Sequence, residues 1–569
     1  MDRAEHPKPQ FVRKDWMNLN GIWKYAFDFG LSGEERKWYE DVSEFKGDIN
    51  VPFCPESELS GVKYVDFING IWYTRTFKIP KEWKGDRVFI HFGAVDYKAV
   101  IYINGKKVGF HIGPVSFAFD ITEYLKRGEN RVVVFAEDKK EEKPRGKQSN
   151  RYYRYGCLYT RVTGIWQTVW LERRPNAYID SVKTVSDFDN SAFVVTPTFK
   201  NIKQGDTFTI SVKGDGKEYS KTVKAQSGIP VSVDIEKFIP WTPKKPFLYD
   251  VEYNLNNEDV VKSYMGMRKV HIEGNKYYLN NKELFIRFVL DQGYYRKGIW
   301  TAPSDEDLKK DIELSLAAGF NGARLHQKVF EERFLYHADK LGYMVWAEHC
   351  DWGFSFDDFK SISLIKDSFM EEMKRDYNHP SIIAWTPFNE TTFSFGDDRE
   401  SHDISVQGMV NLIRAYDPTR PVNDTSGFSH VDTDIYTIHD YEQDPKKLRD
   451  KYKEIKIGVI YENEIPGRKR VTPYKGQPFI NDEYGGTMWA PNDTDKDTWG
   501  YSGNKDIEEV YAKIRDLTKA MVDNPLIAGF CYTQLTDVEQ EKNGIYDYDR
   551  NKKFDMKKIK SYFSYKRKV

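Results

Sequence analysis

The chain has 569 residues, too many for one hydrophobic core and enough for about three domains at roughly 150 residues each, with more allowed for an α/β barrel. Its 86 Lys and Arg nearly cancel 87 Asp and Glu, so no overall field draws it to nucleic acid or to an anionic membrane. Aromatic residues make up 15%; carbohydrate sites use aromatic faces, although most of these rings must fill the cores of β-rich domains.

The opening stretch MDRAEHPKPQFVRKDW is charged and has no apolar segment, and no later run approaches about 18 uncharged apolar residues, so neither export nor membrane spanning is expected. A chain already trimmed of a signal peptide would read the same. Cys54, Cys157, Cys350 and Cys531 have no metal-type spacing, and a reduced, cytoplasmic setting is the simplest expectation. A homo-oligomer is compatible with these features.

Residues 1–174 read as short β runs closed by turn residues. Arg87 to Phe92, Ala99 to Ile103, Arg131 to Ala136 and Ile165 to Glu172 are expected strands, and Asn104-Gly105 suits the positive φ of a tight hairpin turn. With no helical stretch between them, the pattern predicts a jelly-roll β-sandwich. The charged loop Asp138 to Ser149 runs into RYYRYG. Its ordinary reading is a solvated surface connection; the sharper one is an arm offering Arg145, Tyr152 or Tyr153 to a substrate. Residues 175–270 alternate again, in Phe193 to Phe199, Phe208 to Val212 and Phe247 to Tyr253, and predict an immunoglobulin-like β-sandwich without chemistry of its own.

Within residues 271–569 strands alternate with helices, the signature of a parallel sheet. Leu284 to Leu290 is the first strand; Ser304 caps a helix whose apolar positions Leu308, Ile312 and Leu316 recur every four residues until Gly319 ends it. Further strands fall at Asn321 to His326, Tyr343 to Glu348, Ile382 to Thr391, Pro421 to Asp424, Ile435 to Tyr441, Pro478 to Glu483 and Ile527 to Leu535. Eight strands predict a closed (β/α)8 TIM barrel with functional side chains at the strand ends. There the fourth strand delivers Asn389-Glu390 and the seventh Glu483. Two carboxylates brought to one rim by different strands are what glycosidic bond cleavage needs, one to protonate the departing oxygen and one to attack or to activate water. The strand ends also carry Arg324, His439 and Tyr441, together with His326, Trp346, Glu348, Asp291, Asp424 and Gln534; of these last six about half are expected to touch substrate and the rest to satisfy one another in the buried rim.

The segments NGIWKYAFD, GIWYTRTFKIP, YINGKKVGF, TGIWQTVWLE and GFCYTQLTDVEQ, together with IIAWTPFNET and PFINDEYGG, resemble in this order those of glycoside hydrolase family 2. The resemblance implies a retaining double displacement, with Glu390 as acid/base and Glu483 as nucleophile about 5 to 5.5 Å apart. It implies further that Asn389 hydrogen-bonds the sugar 2-hydroxyl and that Tyr441 contacts the nucleophile. Arg324, two residues before His326 on the second strand, is read either as holding Glu483 ionised by a charge-assisted hydrogen bond or as a structural ion pair. His439 lies two residues before Tyr441. No cofactor is expected; a metal is optional, with His326 and Glu390 as partial ligands. The expected substrate is an oligosaccharide or glycoside cleaved at its terminal sugar, with β-galactoside first. Other terminal sugars, among them β-glucuronide, β-mannoside, arabinoside and galactofuranoside, are alternatives, as is a non-catalytic carbohydrate-binding protein. VLDQGYYRKGIW departs from the galactosidases' stretch after the first strand, and EQEKNG lacks the Asn-x-Lys pair with which the family's glucuronidases recognise a carboxylate. Asn463 to Gln477 reads as an exposed loop or as a cap over the bowl.

Overall fold

The computed structural model of the chain describes residues 3–391, 399–461 and 472–567. The N-terminal part is a sandwich of a six-stranded sheet, in the order Gly47–Val51, Gly21–Phe27, Gly70–Lys78, Glu129–Glu137, Lys98–Ile103 and Lys106–Ile112, on a four-stranded sheet of Trp16–Asn18, Val169–Arg174, Arg87–Phe92 and Phe117–Asp120. Alternate residues face inward: Ile71, Tyr73, Ile101, Val132 and Val134 from the first sheet meet Ile90, Phe92, Val169 and Leu171 from the second. Asn104 and Gly105 make the tight turn between Lys98–Ile103 and Lys106–Ile112, at φ +51° and +81°. The stretch expected as one strand from Ile165 to Glu172 is broken, with Gly164–Ile165 pairing Val95–Asp96 and Val169–Arg174 joining the four-stranded sheet.

The second sandwich packs a three-stranded sheet (Tyr178–Asp187, Ala192–Lys200, Val231–Asp234) on a four-stranded one (Lys217–Lys224, Thr207–Gly214, Tyr249–Leu255, Asp259–Met265). Its core comprises Phe193, Val195, Phe208, Ile210, Tyr249, Val251 and Tyr253.

The C-terminal part is a parallel barrel. Its strands are the first, Ile286–Asp291; second, Gly322–Leu325; third, Met344–Glu348; fourth, Ile382–Thr386; sixth, Tyr436–His439; seventh, Phe479–Gly485; and eighth, Ile527–Thr533. These seven form one sheet in the order fourth, third, second, first, eighth, seventh, sixth. Pro387, which has no N–H to give, interrupts the fourth strand, which resumes as Phe388–Asn389 and pairs in parallel with Thr425–Ser426. The fifth strand is therefore Thr425–Ser426, not Pro421 to Asp424. The Asp424 carboxylate accepts hydrogen bonds from the backbone N–H of Thr425, Val431 and Asp432, which ties this stretch to the following loop and leaves one isolated bridge, Trp385 with Val422.

Helix α1 (Asp305–Ala318) starts where Ser304 Oγ accepts from Asp307 N and ends at Gly319 with φ +103°. The helices α2 (Glu332–Leu341), α3 (Phe359–Asp376), α4 (Arg399–Tyr416), α5 (Pro445–Lys451), α6 (Ile507–Val522) and α7 (Met556–Phe563) complete the outer layer, while the connection from 427 to 435 carries none. Phe288, Leu290, Met344, Trp346, Ile383, Ile480 and Cys531 fill the barrel, and Trp241 and Tyr277 close its lower end.

The loop after Glu137 leaves the N-terminal sandwich and lies on the barrel. Lys143 N donates to Gly353 O (2.9 Å), Arg145 N to Trp352 O (2.9 Å) and Gly146 N to Cys350 O (3.2 Å). Gly146 has φ +62°, and a Cβ there would stand 2.1 Å from the backbone oxygen of Gln327. Gly146→Ala is therefore expected to lower unfolding stability by at least about 1–3 kcal/mol in a denaturant titration, through backbone strain and a clash with main chain that has no rotamer to escape to.

Candidate active site

Alternation along the second barrel strand points Arg324 into the barrel, and His326 just beyond it lies on the same side. Arg324 is fully buried. Its Nε donates to Glu348 Oε2 (2.5 Å), Nη1 to Glu483 Oε1 (3.0 Å) and to the backbone oxygen of Asp482 (3.1 Å), and Nη2 to Asn389 Oδ1 (2.5 Å). One guanidinium thus joins the second, third, fourth and seventh strands, each contact a charge-assisted or directed hydrogen bond.

Glu390 and Glu483 open on the same bowl. Glu390 has φ +48° and donates its N–H to Ser426 O (2.8 Å), an uncommon backbone conformation for a non-glycine residue, held here by the fifth strand. Its Oε1 lies 2.6 Å from His439 Nδ1. Glu483 Oε2 accepts from the Tyr441 hydroxyl (2.6 Å), and the Tyr441 ring is stacked on Tyr501. Ligand atoms of Glu390, His439 and Glu483 all lie within 4.8 Å of one another. Among the described residues these three form the group able to hold a cation, so His439, not His326, stands beside Glu390. His326 Nδ1 instead lies 2.9 Å from Glu348, and its other nitrogen has no partner.

The two carboxylates sit in unlike surroundings. Burial pushes Glu483 up, but His439 and Arg324, and behind them Lys147, outweigh it and hold the group at about 2. Burial drives His326 neutral, so the histidine charge acting on Glu483 is that of His439. Burial likewise pulls His439 down, yet Glu483, Asp482 and Glu390 raise it above its ordinary value. The side chain of Glu390 is the more open, 21% exposed against 6% for Glu483.

Several of the other rim residues are engaged with protein groups, one of the two arrangements expected of them. Asp291 points out of the barrel, because Phe288 and Leu290 take the inward face; burial and Asp311 of α1 push it up to about 7. Trp346 packs inside the barrel below the bowl and donates its ring N–H to Thr386 Oγ1. Glu348 is held by Arg324, His326 and Gln327. Gln534 donates to Asn543 Oδ1 (2.8 Å), leaving its own oxygen unpartnered. Asp424 binds His430 and loop backbone. In Asn389, Oδ1 is fixed by Arg324 and the buried Nδ2 has no partner, a free donor beside the carboxylate pair.

One wall of the bowl comes from the N-terminal domain. Trp499 Nε1 and Gln540 Nε2 both donate to Gly156 O at 2.7 Å, and the Tyr159 hydroxyl donates to Glu541 Oε2 (2.5 Å). Of the loop residues singled out in the sequence, Tyr152 and Tyr153 are largely exposed, and Arg145 packs on Gly353. The residue that reaches the carboxylates is Lys147, buried with its ammonium 5.2 Å from the Trp352 ring centroid. Sequence reading passed over Lys147 and Glu541; the signal for each was its place in a charged stretch, Asp138 to Ser149 for the first and EQEKNG for the second. Of Asn463 to Gln477, residues 463 to 471 lie outside the described residues, while Thr472 donates from N to His430 O and from Oγ1 to Val431 O.

Tyr441→Phe removes a hydrogen bond that favours the ionised form of Glu483. The acid limb of kcat/KM is therefore expected to move toward higher pH by about one to two pH units, with the alkaline limb in place, in a pH–rate series. For stability the sign is the same. Glu483 is held below its ordinary 4.5, so its contribution is present above that value and is lost as the pH falls from there toward about 2. Thermal melts between pH 5 and 2 should show that loss, and Arg324→Met should shift its onset upward.

Three stretches of the chain match known domains in the same order: residues 16–175 the glycosyl hydrolases family 2 sugar binding domain, 177–268 the glycosyl hydrolases family 2 domain, and 270–566 the family 2 TIM barrel domain. The chain is 25% identical over 454 residues to a beta-glucuronidase of Paenibacillus borealis, covering 73% of this chain and 74% of that protein. It is 29% identical over 498 residues to a beta-galactosidase of Thermoanaerobacter pseudethanolicus, covering 83% of this chain and 62% of that protein. The solved beta-glucuronidase of Lactobacillus rhamnosus shares the fold, with a TM-score of 0.81 at 21% identity over 99% of both chains. With the barrel match covering more than half of its length and two further domains of the same kind preceding it, this chain belongs to glycoside hydrolase family 2 and is a glycoside hydrolase.

Proposed function

We propose that the chain removes a terminal sugar from a glycoside by double displacement with retention, and that the sugar is a β-galactoside. The observation that carries the reading is the approach of Glu390 and Glu483, with oxygens within 4.8 Å and different environments. That spacing suits attack by one carboxylate and leaves no room for a water between the pair. Glu483, kept ionised, attacks the anomeric carbon as the bond to the leaving oxygen breaks. The proton for that oxygen comes from the Glu390–His439 pair, which holds it across a 2.6 Å contact. Glu390 then takes a proton from water, and the resulting attack at the anomeric carbon releases the sugar and frees Glu483. Asn389 Nδ2 is placed to donate to the 2-hydroxyl as charge develops on the ring.

Exo action is supported by the wall that the N-terminal domain builds against the rim. Glu541 supports a neutral sugar, because a uronate carboxylate beside it would meet a like charge. A β-glucuronide is the second reading, favoured by the unpaired ammonium of Lys147. A nitrophenyl glycoside panel separates them, with turnover of the β-galactoside above that of the β-glucuronide expected and the reverse order deciding for the second.

Glu483→Ala is expected to lose about 10⁴-fold or more in kcat/KM while folding normally, since it removes the group that forms the new bond. Azide should restore turnover in it and give the glycosyl azide of inverted configuration. Glu390→Ala with azide should give the azide of retained configuration, and product analysis by NMR distinguishes the two.

A further inference from the structure

The Lys147 ammonium makes no hydrogen bond or ion pair among the described residues, yet only 6% of the residue is exposed. A buried ammonium without partners is costly, and a cation–π contact at 5.2 Å to Trp352 offsets only part of that. The side chain is nevertheless firmly placed. Its backbone oxygen accepts from Tyr159 N (2.8 Å), and the next residue, Gln148, donates to Asp96 Oδ2 and accepts from Val162 N. The Trp352 ring beneath the ammonium donates its N–H to Asn389 O (3.2 Å), which sets Lys147 over the strand end that carries Glu390. Burial pulls Lys147 down, but Cys157, Glu541, Glu483 and Glu390 hold it above its ordinary value, so the group stays charged.

The carboxylate of Glu541 stands nearby, joined to Lys147 through Tyr159, whose N–H binds Lys147 O and whose hydroxyl binds Glu541 Oε2. The two side chains form no ion pair among the described residues. Glu541 Oε1 accepts from Asn543 Nδ2 (3.0 Å), and each oxygen keeps a lone pair free. A free ammonium and a carboxylate with spare lone pairs complement neighbouring hydroxyls, one accepting from the ammonium and one donating to the carboxylate. A carboxylate substituent would satisfy Lys147 but face repulsion from Glu541.

We propose that Lys147, supplied by the N-terminal domain, is a substrate-binding residue that acts with Glu541 to read adjacent hydroxyls of a neutral sugar. This rests on the bowl being the glycosidase's sugar subsite. The test compares wild type with Lys147→Met on nitrophenyl glycosides of the preferred sugar and its single-deoxy analogues, together with calorimetric titration of the free sugar, which needs no turnover.

Lys147→Met is expected to lower kcat/KM and sugar affinity about ten- to hundredfold. One deoxy analogue should cost wild type a similar factor and cost Lys147→Met nothing further, and Glu541→Gln should lose discrimination at the same or the adjacent hydroxyl. If every deoxygenation cost the variant as much as wild type, or if the variant bound the sugar as tightly, Lys147 would not read hydroxyls and the proposal would fall. A wild type that prefers the glucuronide, with that preference abolished in Lys147→Met, would overturn the neutral-sugar assignment. Failure of wild type to hydrolyse any glycoside while binding the sugar would instead sink the reading of the function. If Lys147→Met does not fold, Lys147→Arg keeps the charge, displaces the donors and should lose the same discrimination.

Discussion

The buried guanidinium of Arg324 is the constraint on which the bowl depends. Three other strands contribute acceptors to it, and none of the contacts can be replaced by water because the group is inaccessible. A charge placed so deep is tolerable only when its acceptors are complete and include negative charge. The same contacts that offset its desolvation therefore fix the rotamers of Glu348, Glu483 and Asn389. Stability and preorganisation are one arrangement here: the side chains that neutralise the arginine are those that line the reaction space.

A second pairing complements the first. His439 faces Glu390 with one nitrogen and Ser426, Asp482 and Glu483 with the other, so a proton on the ring is stabilised from both edges. The bowl keeps one carboxylate ionised by fixed cations and gives the other a partner with which to exchange a proton. Two glutamates of the same chemistry acquire different environments from position alone.

The three-domain order, the strand count and the two glutamates were legible in the sequence because each leaves a local signal: alternation, a capping serine with a closing glycine, and apolar runs ending in Asn-Glu or Glu. Which way a rim residue points was less legible. Asp291 ends its strand as Glu483 nearly does, but lies one pleat out of phase with Leu290 and faces α1, and a register of one residue cannot be read from an apolar run. The fifth strand was displaced because the Asp424 carboxylate takes loop N–H groups, a competition between side chain and ladder that hydrophobicity does not reveal. Lys147 was missed for another reason. It sits in a charged loop, where solvent is the ordinary destination, and its burial arises only because a second domain lies over it.

That overlay at Gly146 and Lys147 divides labour between modules. The barrel holds Glu390 and Glu483, while a residue from the N-terminal sandwich projects beside them. On the proposed roles, changes confined to the sandwich loop would retune which glycoside is accepted and leave the carboxylate pair intact, so selectivity and reactivity could diverge along independent evolutionary routes within a single polypeptide.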